Sequence, residues 1–351
     1  MTLSRLPPAA LAQLAAVTDG HFRAGPLLGI PQLLRSMGQD PDAVIHASGL
    51  DPRFLDDPET TIDFHAGGRL LAHCAAITDC PHFGLLLGHT SGLHSIGVIG
   101  VLVRHSPDTE RALHNLVLHL LLHDRGAVPS LTVEGALVLL GYAIYQPGVE
   151  GTRQIYDLAI ATARNILKTL RGSDWRPSEV LLPHRAPPDV KPYLRFFESA
   201  VRFDAERAAL VFSSDCFARP VSGADPRLYE VARERVAALE ASASCDILAR
   251  IRPVLRNLLL SGEASIGEVA GVFELHKRTL NRRMRECGLT FRELVEEVRY
   301  DLARQLLRET DLQVVSIAEV LDYADAAAFT RAFRRWSGTT PAAWRKNQSH
   351  G

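Results

Sequence analysis

Residues 265–287 read SIGEVAGVFELHKRTLNRRMREC, and the spacing of their apolar positions decides the fold of the last third of the chain. Ser265 and Glu268 form an S-x-x-E capping box, which predicts a helix start by satisfying otherwise orphaned N–H groups. Ile266, Val269 and Ala270 form its expected buried face, and Ala270 is small enough for a second helix to cross closely. After a turn at Glu274 and Leu275, that second helix is predicted from about His276. Leu280 and Met284 stand at i and i+4, so they share the buried side. The opposite side then presents Lys277, Arg278, Asn281, Arg282 and Arg285. Arg and Lys reach guanine O6/N7 or phosphate and Asn reaches adenine N6/N7, the equipment a helix needs in the major groove. In a single isolated helix, the same residues would more often be a solvated basic face.

The pattern recurs 48 to 50 residues later in QVVSIAEVLDYADAAAFTRAFRRWSG, residues 313–338. Ile317 and Ala318 match Val269 and Ala270, Phe329 and Phe333 match Leu280 and Met284, and Gly338 matches Gly288. Internal duplication makes coincidence a poor explanation. The second exposed face carries Asp325, Ala327, Thr330, Arg331, Arg334 and Arg335. Its alanines offer a methyl contact to thymine and few base hydrogen bonds, so phosphate positioning is the expected role. Between the units, FRELVEEVRYDLARQLL (291–307) sets Phe291, Leu294, Val295, Val298, Leu302 and Leu306 on one stripe. That predicts a helix of about seventeen residues, roughly 25 Å long. Such a rod can hold two recognition helices about one DNA turn apart, roughly 34 Å, on one side of a duplex.

The expected domain of residues 245–351 is therefore all-α, with helix-turn-helix units at about 265–287 and 313–336 joined by a long central helix. DILARIRPVLRNLLL (246–260) adds a leading helix. Pro and Gly cluster in ARPVSGADP (218–226), which marks a boundary. A linker helix over residues 225–244 places Leu228, Val231, Ala232, Val236 and Leu239 on one face. Two readings of that face stand: packing on its own domain, or a dimer seam. Residues 1–224 read as an α+β domain, mainly helical over 26–122. LTVEGALVLLGYAIY (131–145) is β-branched and aromatic, a hairpin or two strands. A helix over Thr152–Arg171, a strand in SEVLLPH, a helix over Lys191–Phe197 and a strand in AALVFSS complete a small mixed sheet covered by helices.

The length of 351 residues fits two domains, and 46% apolar with 23% charged residues excludes a disordered or fibrous chain. The formal charge of −1 conceals an asymmetry, +3 over residues 251–351 against −4 before them. With no run of eighteen uncharged apolar residues, and an opening segment broken by Pro, Asp and Gly, a cytoplasmic protein without membrane partners is expected. The five cysteines (Cys74, Cys80, Cys216, Cys245 and Cys287) are scattered and odd in number, so no disulfide framework or thiolate zinc site is expected. Nine of the fourteen histidines lie between His65 and His123, which invites a metal or haem hypothesis around the i, i+4 pair His119 and His123 and the neighbours His89 and His94. No carboxylate completes a ligand set at suitable spacing, so neither metal nor cofactor is expected. No P-loop, GxSxG or Rossmann fingerprint is present, so no enzyme is expected. Tyr142, Tyr145, Trp175, Tyr193 and Phe197 are the aromatic candidates for an effector pocket, with buried core as the competing role.

RTLNRRMRECGLTFRELVEEVRYDLARQLL (278–307), AFTRAFRRWSGTTPAAWR (328–345) and their order resemble the AraC/XylS family of bacterial transcription regulators. Upstream, GLDPRFLDDPETTIDF, PHFGLLLG, HSPDTERAL and SAVRFDAERAALVF resemble the arabinose-binding-like sensor domain of the branch that includes regulators of ornithine use. The resemblance implies promoter DNA as partner, a small-molecule effector, homodimerisation, contact with RNA polymerase and control of neighbouring genes. By matching position it makes Arg278, Asn281 and Arg282 the base-contact candidates, with Arg331 and Arg334 in the second unit. Two departures accompany it. The family usually has Gly in each turn, where Glu274 and Asp322 stand, and Ser at the start of each recognition helix, where His276 and Ala324 stand. A non-Gly residue at positive φ costs about 1 kcal/mol and a missing cap about as much. The alternative is a sensor or partner-binding protein whose DNA-binding half has decayed.

Overall fold

The computed structural model describes residues 20–144, 146, 148–242, 247–260, 264–272, 276–309 and 312–348. The chain divides into two compact units, residues 1–244 and 245–351.

The first unit opens with a two-stranded antiparallel ribbon, β1 (His21–Arg23) against β2 (Thr61–Asp63). Around it stand α1 (Ile30–Ser36), α2 (Pro41–Ala47), α3 (Phe64–Ile77), α4 (Phe83–His89), α5 (Gly97–Arg104) and α6 (Thr109–His119). Aspartates set three of these helix starts: the carboxylates of Asp40, Asp63 and Asp108 accept from the N–H groups of Asp42, Ala66 and Arg111. Such caps satisfy donors that the first helical turn leaves without partners.

A five-stranded mixed sheet follows. β3 (Ala127–Glu134) and β4 (Leu137–Ile144) form a hairpin in which Glu134 pairs with Leu137, and Gly135 takes a φ of +63° in the turn. α7 (Thr152–Arg171) crosses over to β5 (Glu179–Leu181), and α8 (Lys191–Phe197) leads to β6 (Ala200–Arg202), which pairs parallel to β5. β7 (Ala208–Ser213) inserts antiparallel between β4 and β5, giving the order β3-β4-β7-β5-β6. The expected α+β unit is therefore present, with β1, β2 and β6 as additions that the sequence reading lacked. α4 packs on α7 at backbone contact: a Cβ on Gly84 would stand 2.1 Å from the Gln154 carbonyl oxygen. Gln154 locks the crossing, accepting from the Gly84 N–H at 2.7 Å and donating to the Pro81 carbonyl at 3.0 Å.

The linker helix, α9 (Pro226–Ser242), packs on its own unit. Ala232 and Val236 are buried against Leu102 of α5, and Glu240 lies 2.9 Å from His119. Of the five residues expected on one face, Ala232, Val236 and Leu239 are buried while Leu228 and Val231 are exposed.

Among the described residues the second unit is all helix: α10 (Ile247–Leu260), α11 (Ile266–Val272), α12 (Lys277–Glu286), α13 (Phe291–Glu309), α14 (Val314–Val320), α15 (Ala326–Ser337) and α16 (Pro341–Gln348). The central helix α13 runs 19 residues, about 28 Å at 1.5 Å per residue. A reciprocal capping box starts it: the Thr290 backbone N–H donates to Glu293 at 2.7 Å, and the Glu293 N–H donates to the Thr290 hydroxyl at 3.3 Å. The Thr290 N–H and the Thr290 hydroxyl, both donating to it at 2.7 Å, hold the Glu293 carboxyl below the usual carboxylate range. Its buried stripe is Leu294, Val298, Leu302, Ala303 and Leu307; the expected Phe291, Val295 and Leu306 are only half-buried. α13 is packed by α10 and also by α14, α15 and α16, so its inward side is wider than one stripe and includes Ala303 and Leu307. α10 packs on α13, α11 and α12 and buries Ile251, Leu255 and Leu259. Arg345 of α16 donates to the carbonyls of Leu307 at 3.0 Å and Leu312 at 2.8 Å, satisfying an acceptor in the last turn of α13.

Candidate nucleic-acid interface and ligand cavity

In the first helix pair the Glu268 N–H donates to the Ser265 hydroxyl at 3.1 Å, as the capping signal requires. Val269 and Ala270 are buried and Ile266 is half-buried. Glu274, Leu275 and the turn they belong to lie outside the described residues. The recognition helix α12 begins with Thr279 and Leu280 donating to the His276 carbonyl at 2.8 and 3.1 Å. Leu280 and Met284 are both 0% exposed. Their burial fixes the helix's rotation, leaving Lys277, Arg278, Arg282 and Arg285 exposed and Asn281 half-buried. His276, Arg278, Thr279, Arg282 and Arg285 line a shallow groove open to solvent. Several cations on one short face raise a local positive potential, and nucleic-acid phosphate is its natural complement.

The second pair repeats this with different supports. Ile317, Ala318, Leu321, Phe329 and Phe333 are buried. Asp322, in the turn, adopts a φ of +57°, so the departure from Gly is a true left-handed residue. Arg299 of α13 donates to the Asp322 carboxylate at 3.2 Å and lies 5.0 Å from the Tyr323 ring. The expected loss of a cap at Ala324 is corrected. Asp325 is the N-cap of α15, and its carboxylate accepts from the Ala328 N–H at 2.6 Å. Tyr300, Trp344 and Phe329 surround Phe333 at 5.7, 6.1 and 5.8 Å between ring centres, so α15 is anchored by aromatic packing where α12 uses Leu and Met.

On the outer side of α15, Ala327, Arg331 and Arg334 are exposed. Thr330 is half-buried and its hydroxyl donates to the Ala326 carbonyl at 2.7 Å. Arg335 is exposed yet held by Glu296 of α13 at 2.8 Å. The sequence reading placed Arg335 with the other contact residues; the ion pair it makes with its own unit was not visible there.

The first unit holds a cavity of 110 Å³. α3 contributes Leu71, α6 Leu116, β4 Leu140 and α7 Ile155 and Leu158, so the walls are apolar. Polar edges come from residues 123–124, whose backbone is fixed against β1 by the Arg23 N–H donating to the His123 carbonyl at 2.9 Å. The Asp124 carboxylate accepts from the Gly126 N–H at 2.8 Å and from the Tyr142 hydroxyl at 2.5 Å. Burial raises its pKa to about 6 even so. His123 is 4% exposed and neither ring nitrogen has a hydrogen-bond partner in the protein. Burial, with Arg23 nearby, lowers its pKa to about 3, so the ring is neutral.

Of the five aromatic pocket candidates, Tyr142 lines this cavity. Trp175, Tyr193 and Phe197 do not; they belong to the hydrophobic core. Trp175 packs edge-on to Phe212 at 5.8 Å, and the Tyr193 hydroxyl donates to Asp157 at 2.6 Å. Tyr145 lies outside the described residues. The histidine pairing is corrected as well. α6 ends at His119, so His119 and His123 do not share a helix. His89 stacks on Phe196 at 4.2 Å. Among the described residues no group of three or more His, Cys, Asp or Glu side chains could hold a metal ion, and no single helix is long and apolar enough to cross a membrane.

Residues 38–221 match the family described as the arabinose-binding domain of AraC transcription regulators, N-terminal, and residues 269–347 match a helix-turn-helix domain. The chain is 27% identical over 326 residues to the HTH-type transcriptional regulator VirS of Mycobacterium tuberculosis, covering 92% of this chain and 96% of VirS. It is 26% identical over 323 residues to the ornithine utilization regulator of Pseudomonas aeruginosa, covering 90% and 93%. Among solved structures, the transcriptional regulator CdpR from Pseudomonas aeruginosa aligns with a TM-score of 0.40 at 23% identity, over 76% of this chain and 87% of that one. The first match alone spans more than half of the sequence, and the second falls on the two helix pairs whose outer faces carry the arginines. The chain belongs to the family of AraC transcription regulators that carry the arabinose-binding N-terminal domain.

Proposed function

We propose that this DNA-binding regulator sits on promoter DNA in the cytoplasm as a homodimer, with α12 and α15 of each copy in successive major-groove segments, and recruits or positions RNA polymerase without catalysing a reaction. A small effector bound in the cavity of the first unit sets how the DNA-binding units are presented. Such control requires that the effector bind two arrangements of the protein with different affinity. Arg278, Asn281 and Arg282 read bases; Lys277, Arg285, Arg331 and Arg334 hold phosphates, with Ala327 and Thr330 at the groove floor of the second helix.

One observation carries the reading: Leu280 and Met284 in α12, and Phe329 and Phe333 in α15, are all 0% exposed, which turns both sets of cations outward. A decayed DNA-binding half has no reason to keep two such faces.

The test is a salt series on the full chain with a duplex selected from genomic fragments. Log affinity should fall linearly with log salt at about −0.9 per phosphate neutralised, so a slope of about −3.6 or steeper is expected for four or more contacts. A flat profile overturns the proposal in favour of a sensor without DNA binding.

A further inference from the structure

This inference rests on the reading of the first unit as the effector domain, and concerns which chemistry its cavity accepts. The walls are aliphatic and aromatic, and the polar groups that reach them are nearly all committed. Both Asp124 oxygens accept protein hydrogen bonds, from Gly126 and Tyr142. The Thr162 hydroxyl donates to the Leu158 carbonyl at 2.7 Å. Close by, the Arg23 guanidinium donates to the Leu122 and Glu59 carbonyls at 3.1 and 3.2 Å and pairs with the Glu59 carboxylate at 3.3 Å. His123 is the exception, a buried ring with a donor and an acceptor that the protein leaves without partners.

A buried imidazole in that condition is costly unless something completes it. Among the described residues the walls offer no second uncommitted polar side chain of this kind, and the one charge they carry, the Asp124 carboxylate, already accepts from Gly126 and Tyr142. An aldopentose brings four hydroxyls that would lose their water with one ring to meet them. Ornithine brings two ammonium groups and a carboxylate, and with Asp124 the one charge in the described walls at least two of those three would be buried without a counter-charge. We infer that the effector is a neutral, mostly apolar molecule of about one-ring size whose single hydroxyl-type head group hydrogen-bonds to His123, the ring turning to bring a nitrogen that is buried behind the wall to the cavity surface. The volume agrees: a dry apolar cavity of about 150 Å³ takes up benzene, and this one measures 110 Å³. The neutral state of the ring supports the same reading, since it can donate to or accept from an uncharged hydroxyl and offers no ion to an anionic one.

The probes are phenol, toluene, cyclohexanol, L-arabinose and L-ornithine, titrated into the full chain by calorimetry and thermal shift. Phenol and cyclohexanol should bind, phenol about ten-fold more tightly than toluene because it recovers a hydrogen bond. Arabinose and ornithine should give no shift. In His123→Leu the phenol-to-toluene ratio should fall to about one with toluene binding retained. Ala163→Leu, which fills the cavity from α7, should weaken both. The ratio on the wild-type chain stands even if a variant fails to fold. Binding of arabinose or ornithine with no response to phenol overturns the ligand class and leaves the effector reading intact. No response to any probe, or to a metabolite panel spanning charged and neutral compounds, overturns both.

Discussion

Arg299 donates to the Asp322 carboxylate at 3.2 Å and to the Asp322 carbonyl at 3.4 Å, so the central helix grips the one left-handed residue in the second helix-turn-helix turn. An L-residue at a φ of +57° carries a steric cost of about 1 kcal/mol that Asp bears more lightly than most. The pair with Arg299 is partly exposed and returns no more than about 1 kcal/mol. Asp322→Ala loses the pair and keeps the strain, and should destabilise the second unit by about 1 kcal/mol. Asp322→Gly loses the pair and removes the strain, so it should change stability by less than about 0.5 kcal/mol. Urea denaturation in a Trp175→Phe background, where fluorescence reports on Trp336 and Trp344 alone, measures both. Equal losses for Ala and Gly would show that the left-handed backbone is not what the pair offsets.

Arg278→Ala and Asn281→Ala should each cost about 1 to 3 kcal/mol on the selected duplex and relax preference at the bases they read, whereas Arg334→Ala should weaken selected and random duplexes alike. The distinction follows from position. Arg278 and Asn281 lie in the first half of α12, where a recognition helix meets base edges, while Arg334 lies in the last turn of α15. Competition binding on paired duplexes separates the two behaviours. Uniform losses for all three variants would remove the base-reading role from α12.

Arg335→Ala should cost DNA binding less than Arg334→Ala, by at least three-fold in affinity, because the Arg335 guanidinium is already engaged by Glu296 at 2.8 Å. Releasing it is a sharper trial. Glu296→Gln removes the carboxylate that holds Arg335 and also a negative charge on α13, so it should tighten binding to random duplex at low salt, with the gain disappearing at high salt. A Glu296→Gln protein that binds no better at any ionic strength would place Arg335 outside the DNA-facing surface.

The helix-turn-helix units were legible because what specifies them is local. Leu280 with Met284 and Phe329 with Phe333 are four residues apart, so periodicity alone orients each helix. The T-x-x-E signal at Thr290 and Glu293 was equally local and went unread, and so did the shift of the cap from Ala324 to Asp325, one residue further on. The cavity belongs to another category. Leu71, Leu116, Leu140 and Leu158 come from four elements, and no window of sequence contains their meeting point. The aromatic candidates Tyr193 and Phe197 lie in the core, the competing role the sequence leaves open for them, and the buried ring that lines the cavity, His123, reads in the sequence as one of a histidine series. β6 escaped because three residues with exposed ends carry no periodicity, and its partner β5 lies across a helix.

His123 and Asp124, adjacent in sequence and both buried, should give the first unit two opposed acid responses. The folded pKa of His123, about 3, lies below the ordinary 6.5. Between those values the unfolded chain takes up a proton that the folded ring refuses, so stability present above pH 6.5 is lost as the pH falls. Asp124 has a folded pKa of about 6 against an ordinary 3.8. Between those values the folded carboxyl takes up a proton that the unfolded one does not, so stability is gained as the pH falls. From pH 7.5 to pH 5 each amounts to about 1 to 2 kcal/mol, with opposite sign, and in the wild type they largely cancel. His123→Leu leaves only the Asp124 response, so on acidification this variant should gain stability relative to wild type. Asp124→Asn leaves only the His123 response and should lose it. Arg23, Glu59 and Tyr142 lie close to the two groups and are unchanged in both variants, so the comparison isolates the pair. Thermal melts of the two variants and the wild type at pH 5 and 7.5 decide it: the Tm differences should diverge in opposite directions, and parallel pH profiles would mean that neither group is titrating in the buried state assigned to it.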